Sequence, residues 1–299
     1  MRVRANGIDI EVEDTGADGS QVGRPVVLLI MGLGMQLIAW PPAFVQALQE
    51  EGFRVVRFDN RDVGLSQHFD QLGIPNLLWE SFKFRIGMPV RAPYSLQDMA
   101  ADTLGVLDAL GIASAHVVGV SMGGMIAQRV ALAAPERVAS LTSIMSSSGA
   151  RGLPGPSGTV LRALLSRPKG TGEEAIVDHY VRLFRVIGSP AYPLDESALR
   201  ERVLLATRRS FHPAGTMRQM AAVAADARRA GELARIQART LVLHGKADPL
   251  VPFVCGQDTA RRIPGSRFLG IDGMGHDLPP GVVQRLLEPL VPHLAGAAR

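Results

Sequence analysis

With 299 residues, 46% apolar and 20% charged, the chain has enough apolar material for a large buried core and too little charge for a disordered one. Its net charge of +4 is unevenly spread: residues 151–239 hold 15 Lys/Arg against 8 Asp/Glu, and the remainder is slightly acidic. At helical spacing that surplus reads as a solvated helix face rather than a nucleic-acid or membrane surface, and the single cysteine, Cys255, excludes an intrachain disulfide and suits a small buried hydrophobe.

The first seven residues lack the apolar region of a secretory signal, and Val26–Met31 is too short to cross a bilayer. A cytoplasmic protein without membrane insertion is therefore expected. Residues 2–14 alternate polar and apolar about Asn6-Gly7, which predicts a hairpin. Pro25 leads into Val26–Ile30, a continuous apolar run suited to a parallel strand buried on both faces. A glycine turn, Met31-Gly-Leu-Gly34, follows it. A helix is predicted from Phe44 to Glu51, closed by Gly52, and then a strand over Phe53–Phe58 with a polar turn after it. Residues 67–94 are irregular and carry Pro75, Pro89 and Pro93. Ser95 with Asp98 forms a variant capping box for a helix running to Leu110.

Next come a strand ending near Val118, the sequence Gly119-Val-Ser121-Met-Gly123, and a helical run that lasts until Pro135. A further strand is predicted over Arg137–Met145. From Arg151 to Ala234 there are helical segments and no strand. Strands resume at Thr240–His244 and Arg267–Ile271, and a helix from Val282 to about Ala295 ends the chain. Strands alternating with helices imply an α/β fold, a mostly parallel sheet with helices on both faces. Residues 1–146 and 235–299 form its core domain, and residues 147–234 form a helical cap inserted over the C-terminal edge of the sheet.

Gly-x-Ser-x-Gly between strand and helix is the elbow that forces a serine onto a strained turn with its hydroxyl exposed. A serine hydroxyl needs a base to take its proton and a third group to orient that base. In this kind of fold the acid and then the histidine follow the serine, each on a loop after a strand. Asp248-Pro249 follows the strand ending at His244, and Gly273-Met-Gly-His276 follows the strand ending at Ile271. Ser121, Asp248 and His276 are thus the expected catalytic set. Asp272 and Asp277, beside the histidine, are expected to fix its loop. The other histidines, 68, 116, 179, 212, 244 and 293, sit in strands or lack such a loop. An oxyanion would be held by the N–H of Met122 and by one from the turn after the first long strand, that of Leu33 or Gly32. Leu33, Met35, Met122, Met125, Met145 and Leu250 are the expected acyl-pocket residues. There is no metal-ligand spacing, and Gly-Leu-Gly lacks the third glycine of a dinucleotide fingerprint, so neither metal nor cofactor is expected.

Taken together, Met31-Gly, Trp40-Pro, Arg57-x-Asp59-x-Arg61-Asp62-x-Gly64-x-Ser66, the serine elbow, Asp248-Pro and Gly273-Met-Gly-His276 resemble the α/β-hydrolase superfamily. More narrowly they resemble bacterial carboxylesterases close to the aclacinomycin methylesterases. The resemblance covers nearly the whole chain. It implies a triad of Ser121, Asp248 and His276, a helical cap and no cofactor. Many relatives begin the oxyanion turn with His-Gly where this chain has Met31-Gly32. The expected function is a serine carboxylesterase acting on short- to medium-chain esters, as a monomer or homodimer. Lactonases and cofactor-free perhydrolases with the same triad, or a non-catalytic ligand-binding member of the fold, are the alternatives.

Overall fold

Asn6 and Gly7 both have positive φ, 49° and 76°, the paired left-handed conformation that matches a hairpin's twist and that Asn-Gly accepts readily. In the computed structural model, which describes residues 1–297 apart from 77, 78, 81, 82, 84, 85, 87 and 227, this turn joins β1 (Arg2–Ala5) to β2 (Ile8–Asp14). Strand β2 pairs antiparallel with β4 (Arg54–Phe58). The remaining strands are parallel: β3 (Val26–Ile30), β5 (Ala115–Val120), β6 (Val138–Ile144), β7 (Thr240–Gly245) and β8 (Arg267–Ile271). Their order across the eight-stranded sheet is β1-β2-β4-β3-β5-β6-β7-β8.

The side chains of β3 show why the run is unbroken in apolar character. Leu28 and Ile30 pack into one core, with Val117, Leu96, Val106 and Ile126. Val27 and Leu29 pack into the other, with Val118, Phe44, Leu48 and Leu286. Helices cover both faces, so every residue of the strand is buried. One core lies under α2 (Leu96–Ala109) and α3 (Met122–Ala133). The other lies under α1 (Pro42–Glu50) and α9 (Pro280–Ala297), the last helix.

Helix boundaries follow local chemistry. Helix α1 starts at Pro42, two residues before the predicted Phe44, because proline is pre-organised for a first helical position. At α2 the capping box is complete: Ser95 Oγ accepts from Asp98 N at 3.1 Å, and Asp98 Oδ2 accepts from Ser95 N at 2.8 Å. Helix α9 extends past the predicted ends and carries Pro289 and Pro292 within it. Part of the irregular stretch 67–94 lies outside the described residues; within them it holds a 3₁₀ turn at Asp70–Leu72.

Between β6 and β7 the chain forms α4 (Gly158–Leu165), α5 (Glu173–Ile187), α6 (Glu196–Arg209) and α7 (Pro213–Ala225), with no strand among the described residues. Val177, Val181, Leu199 and Val203 give α5 and α6 a small core of their own. Part of the basic charge of this segment is paired with the segment's own acids, with Arg200 on Asp178 at 2.8 Å and Arg208 on Glu173 at 2.9 Å. Such exposed pairs contribute little stability each. The chain re-enters the sheet at β7, and helix α8 (Phe253–Arg262) links β7 to β8. Among the described residues no helix is long and apolar enough to cross a membrane.

Candidate active site

Strand β5 ends at Val120 and α3 begins at Met122, so one residue makes the turn. That residue, Ser121, has φ 56°, a left-handed conformation that costs an L-residue energy and persists only where the surroundings impose it. They do so here. A Cβ on Gly119 would lie 2.1 Å from Gly123 O, and one on Gly123 would lie 2.1 Å from Ile30 O. Both motif glycines are thus required by contact between backbones. Ser121 N donates to Ile144 O at 2.9 Å, and Ser146 Oγ donates to Ser121 O at 2.7 Å, which hold the turn from the β6 side.

His276 Nε2 lies 3.0 Å from Ser121 Oγ, and His276 Nδ1 lies 2.7 Å from Asp248 Oδ2. The carboxylate accepts, so Nδ1 carries the proton and Nε2 turns its lone pair to the serine. Asp248 is itself fixed. Its Oδ1 accepts from the backbone N–H groups of Leu250 at 2.9 Å and Val251 at 2.8 Å, within the proline-flanked loop after β7. His244, 3.6 Å from Asp248 Oδ2, donates its Nε2 proton to Val251 O at 2.8 Å, and burial lowers its basicity. The Nε2 proton of His244 is thus committed to the backbone, and the ring backs the acid loop.

The histidine loop leans on the inserted segment. His276 N donates to Ile187 O at 2.7 Å, and Gly275 N donates to Ser189 Oγ at 2.8 Å. Ser189 Oγ in turn donates to Asp277 Oδ1. Burial raises the Asp277 carboxyl above the usual carboxylate range. Asp272, its neighbour in sequence, is exposed and pairs with Lys246 at 2.9 Å.

The turn after β3 lies against the nucleophile: a Cβ on Gly32 would come 3.2 Å from Ser121 Cβ and 3.7 Å from its Oγ. The N–H of Met122 is the first of α3 and has no i−4 carbonyl within its helix. Asn60 Nδ2 donates to Met31 O at 3.0 Å and anchors the start of the turn. Ser121 and His276 open on a cavity of about 280 Å³ walled by the turn and by α5, α6 and α7. Leu33, Met35, Met145 and Leu250 line it. Met125 does not. It lies on the buried stripe of α3 with Ile126 and Val130 in the core, and the Met122 side chain is buried there as well.

Sequence patterns missed the residues that seat the inserted segment. Asp59 Oδ2 accepts from Arg209 at 2.7 Å and Oδ1 from Leu37 N at 2.7 Å; burial still holds this carboxyl above its usual range. Asp62 takes a bidentate pair from Arg218 at 2.7 and 2.8 Å, fully buried. The motif spanning Arg57 to Ser66 was the available signal for one side of these pairs. Nothing local marked Arg209, Arg218 or Gln219 on the other.

One group among the described residues has metal-ligand spacing: His68, Asp70 and His212. The two rings stack at 3.9 Å, and Arg218 donates to His212 Nε2 at 3.0 Å. A fixed guanidinium on that nitrogen opposes a cation there.

Compared with known proteins, residues 25–279 match the family model described as the alpha/beta hydrolase fold. The chain is 33% identical over 302 residues to rhodomycin D methylesterase DauP of Streptomyces sp. (strain C5), covering 92% of this chain and 94% of that protein. It is 31% identical over 294 residues to rhodomycin D methylesterase DnrP of Streptomyces peucetius, covering 91% of each. Among solved structures, the enol-lactonase from Burkholderia xenovorans LB400 is similar with a TM-score of 0.71 at 21% identity, over 99% of this chain and 100% of that one.

Proposed function

The chain belongs to the alpha/beta hydrolase family, and from that premise we propose that it is a serine carboxylesterase using Ser121, His276 and Asp248. The reading is carried by the 3.0 Å contact between His276 Nε2 and Ser121 Oγ, backed by the 2.7 Å contact to Asp248. His276 removes the serine proton as the oxygen attacks the ester carbonyl. The tetrahedral oxyanion is met by the N–H of Met122 and by that of Leu33, with Gly32 beside it. The imidazolium, stabilised by Asp248, then protonates the departing alcohol, and water resolves the acyl-enzyme by the same steps in reverse. No cofactor enters this scheme.

Residues 147–234 serve as the cap of the site, and the mainly apolar cavity of about 280 Å³ suits short to medium acyl groups. The names of the two rhodomycin D methylesterases favour methyl esters as a leaving-group class to be tested alongside. The test is turnover of p-nitrophenyl acetate and butyrate, then of methyl esters and lactones, by wild type and Ser121→Ala. Loss on the order of 10³–10⁶ in kcat is expected for the variant. Full turnover without the hydroxyl would refute the reading, and a marked preference for long or charged acyl groups would refute the substrate class.

A further inference from the structure

Gln219, on α7 of the cap, is fully buried and joins two backbone groups of the core. Its Oε1 accepts from Gly34 N at 2.9 Å, and its Nε2 donates to Arg61 O at 2.8 Å. One partner can only donate and the other can only accept, so an amide satisfies both and fixes its own orientation. Gly34 closes the turn that carries Gly32 and Leu33. It has φ 67°, and a Cβ there would fall 2.7 Å from Thr216 Oγ1, one helical turn before Gln219 on the same face. The chain beyond the turn is gripped as well: Gln36 Nε2 donates to Ala206 O and Ser210 O at 2.7 Å each, and Gln36 Oε1 accepts from Arg209 at 2.7 Å.

Two consequences follow from this geometry. The Gly34 N–H is committed to Gln219 and is withdrawn from the oxyanion, which leaves Gly32 and Leu33 as the donors of this turn. The turn keeps one bond of its own, from Met35 N to Gly32 O at 3.2 Å, and at the Gly34 N–H it is held by a cap helix. We propose that Gln219 is a positioning residue for ester hydrolysis, holding the oxyanion turn in its working conformation from the cap. This rests on the serine-esterase reading above. Donors aimed at the oxyanion act mainly in the transition state, and small displacements cost rate rather than substrate affinity.

The test compares Gln219→Leu and Gln219→Glu with wild type on p-nitrophenyl butyrate, with Ser140→Ala as a control. Ser140 Oγ hydrogen-bonds His116 Nδ1 at 2.9 Å toward the far end of the sheet, so that variant also loses a buried hydrogen bond, away from the turn. Gln219→Leu should lower kcat by about 10- to 100-fold with KM changed by about twofold at most. Gln219→Glu keeps an acceptor for Gly34 and should lose less. Inhibition by phenylboronic acid, whose adduct on serine is a tetrahedral anion, should weaken by a factor similar to the loss of kcat, while Ser140→Ala leaves kcat unchanged. If Gln219→Leu does not fold, Gln219→Met, which also removes the acceptor for Gly34 and has an unbranched side chain of similar length, carries the test through its own kcat and boronate affinity. Turnover that persists in Ser121→Ala would overturn the esterase reading itself. Turnover that needs Ser121 but keeps kcat and boronate affinity in the Gln219 variants, or falls equally in Ser140→Ala, would overturn this inference alone.

Discussion

Replacing His116 and His293 together by asparagine should flatten the loss of stability on mild acidification. His116 on β5 and His293 on α9 are buried beneath the sheet, and His293 Nε2 has no hydrogen-bond partner. Burial, with Arg239 adding its charge, pushes each ring down from 6.5 to about 4. Between those values the unfolded chain binds more protons than the native one, so stability rises with pH across the window and is lost as pH falls through it. For a single ring the loss from near pH 7 to near pH 5 would be about 1.8 kcal/mol by linkage alone. Solvent screening and relaxation reduce it to about 1 kcal/mol, or about 2 kcal/mol for both rings. Urea unfolding of wild type and the double variant at both pH values measures this directly. Comparing each protein with itself removes the fixed cost of substitution, and the buried histidines common to both cancel. Asparagine retains the Nδ1-like position that bonds Ser140. If the double variant loses as much stability as wild type between the two pH values, these rings are not the groups that charge on unfolding.

Asp248→Asn should lower kcat on the order of 10³–10⁴ with little change in fold, because an amide no longer fixes the His276 tautomer; steady-state kinetics beside a circular-dichroism spectrum checks it. Arg218→Ala strands the buried Asp62 carboxylate and should cost about 3–5 kcal/mol in urea unfolding; a loss under about 1 kcal/mol would contradict it. Met125→Ala should destabilise by about 2–4 kcal/mol and leave the acyl-length profile as it is, whereas Met145→Ala should shift that profile toward larger acyl groups. The opposite pairing would reverse the assignment of core and pocket.

The elbow, the sheet and both partner loops were legible because each has a local grammar. A serine between spaced glycines needs strand before and helix after, and Asp248 and His276 each follow a strand on a loop stiffened by proline or freed by glycine. Met125 was also readable in principle, since Met122, Met125, Ile126 and Val130 repeat at the spacing of a buried helical stripe. Gln219 and Ser189 were not readable. Their partners are backbone groups 185 and 86 residues away, brought together only when the inserted helices dock. Arg209 and Arg218 were hidden for another reason: among many arginines of the segment, only burial against Asp59 and Asp62 separates them from the solvated ones.

The aspartates of that turn limit how this enzyme can be re-engineered. Both are fully inaccessible, and each depends on a guanidinium from a different helix of the insert. A chimera that grafts in a foreign set of lid helices would inherit two buried carboxylates that keep their backbone donors but lack counter-ions, unless the donor supplies arginines at matching sites. Such a hybrid would fail by unfolding before its selectivity could be assayed. Neutralising both acids in the recipient, or transplanting the turn together with the lid, removes that obstacle.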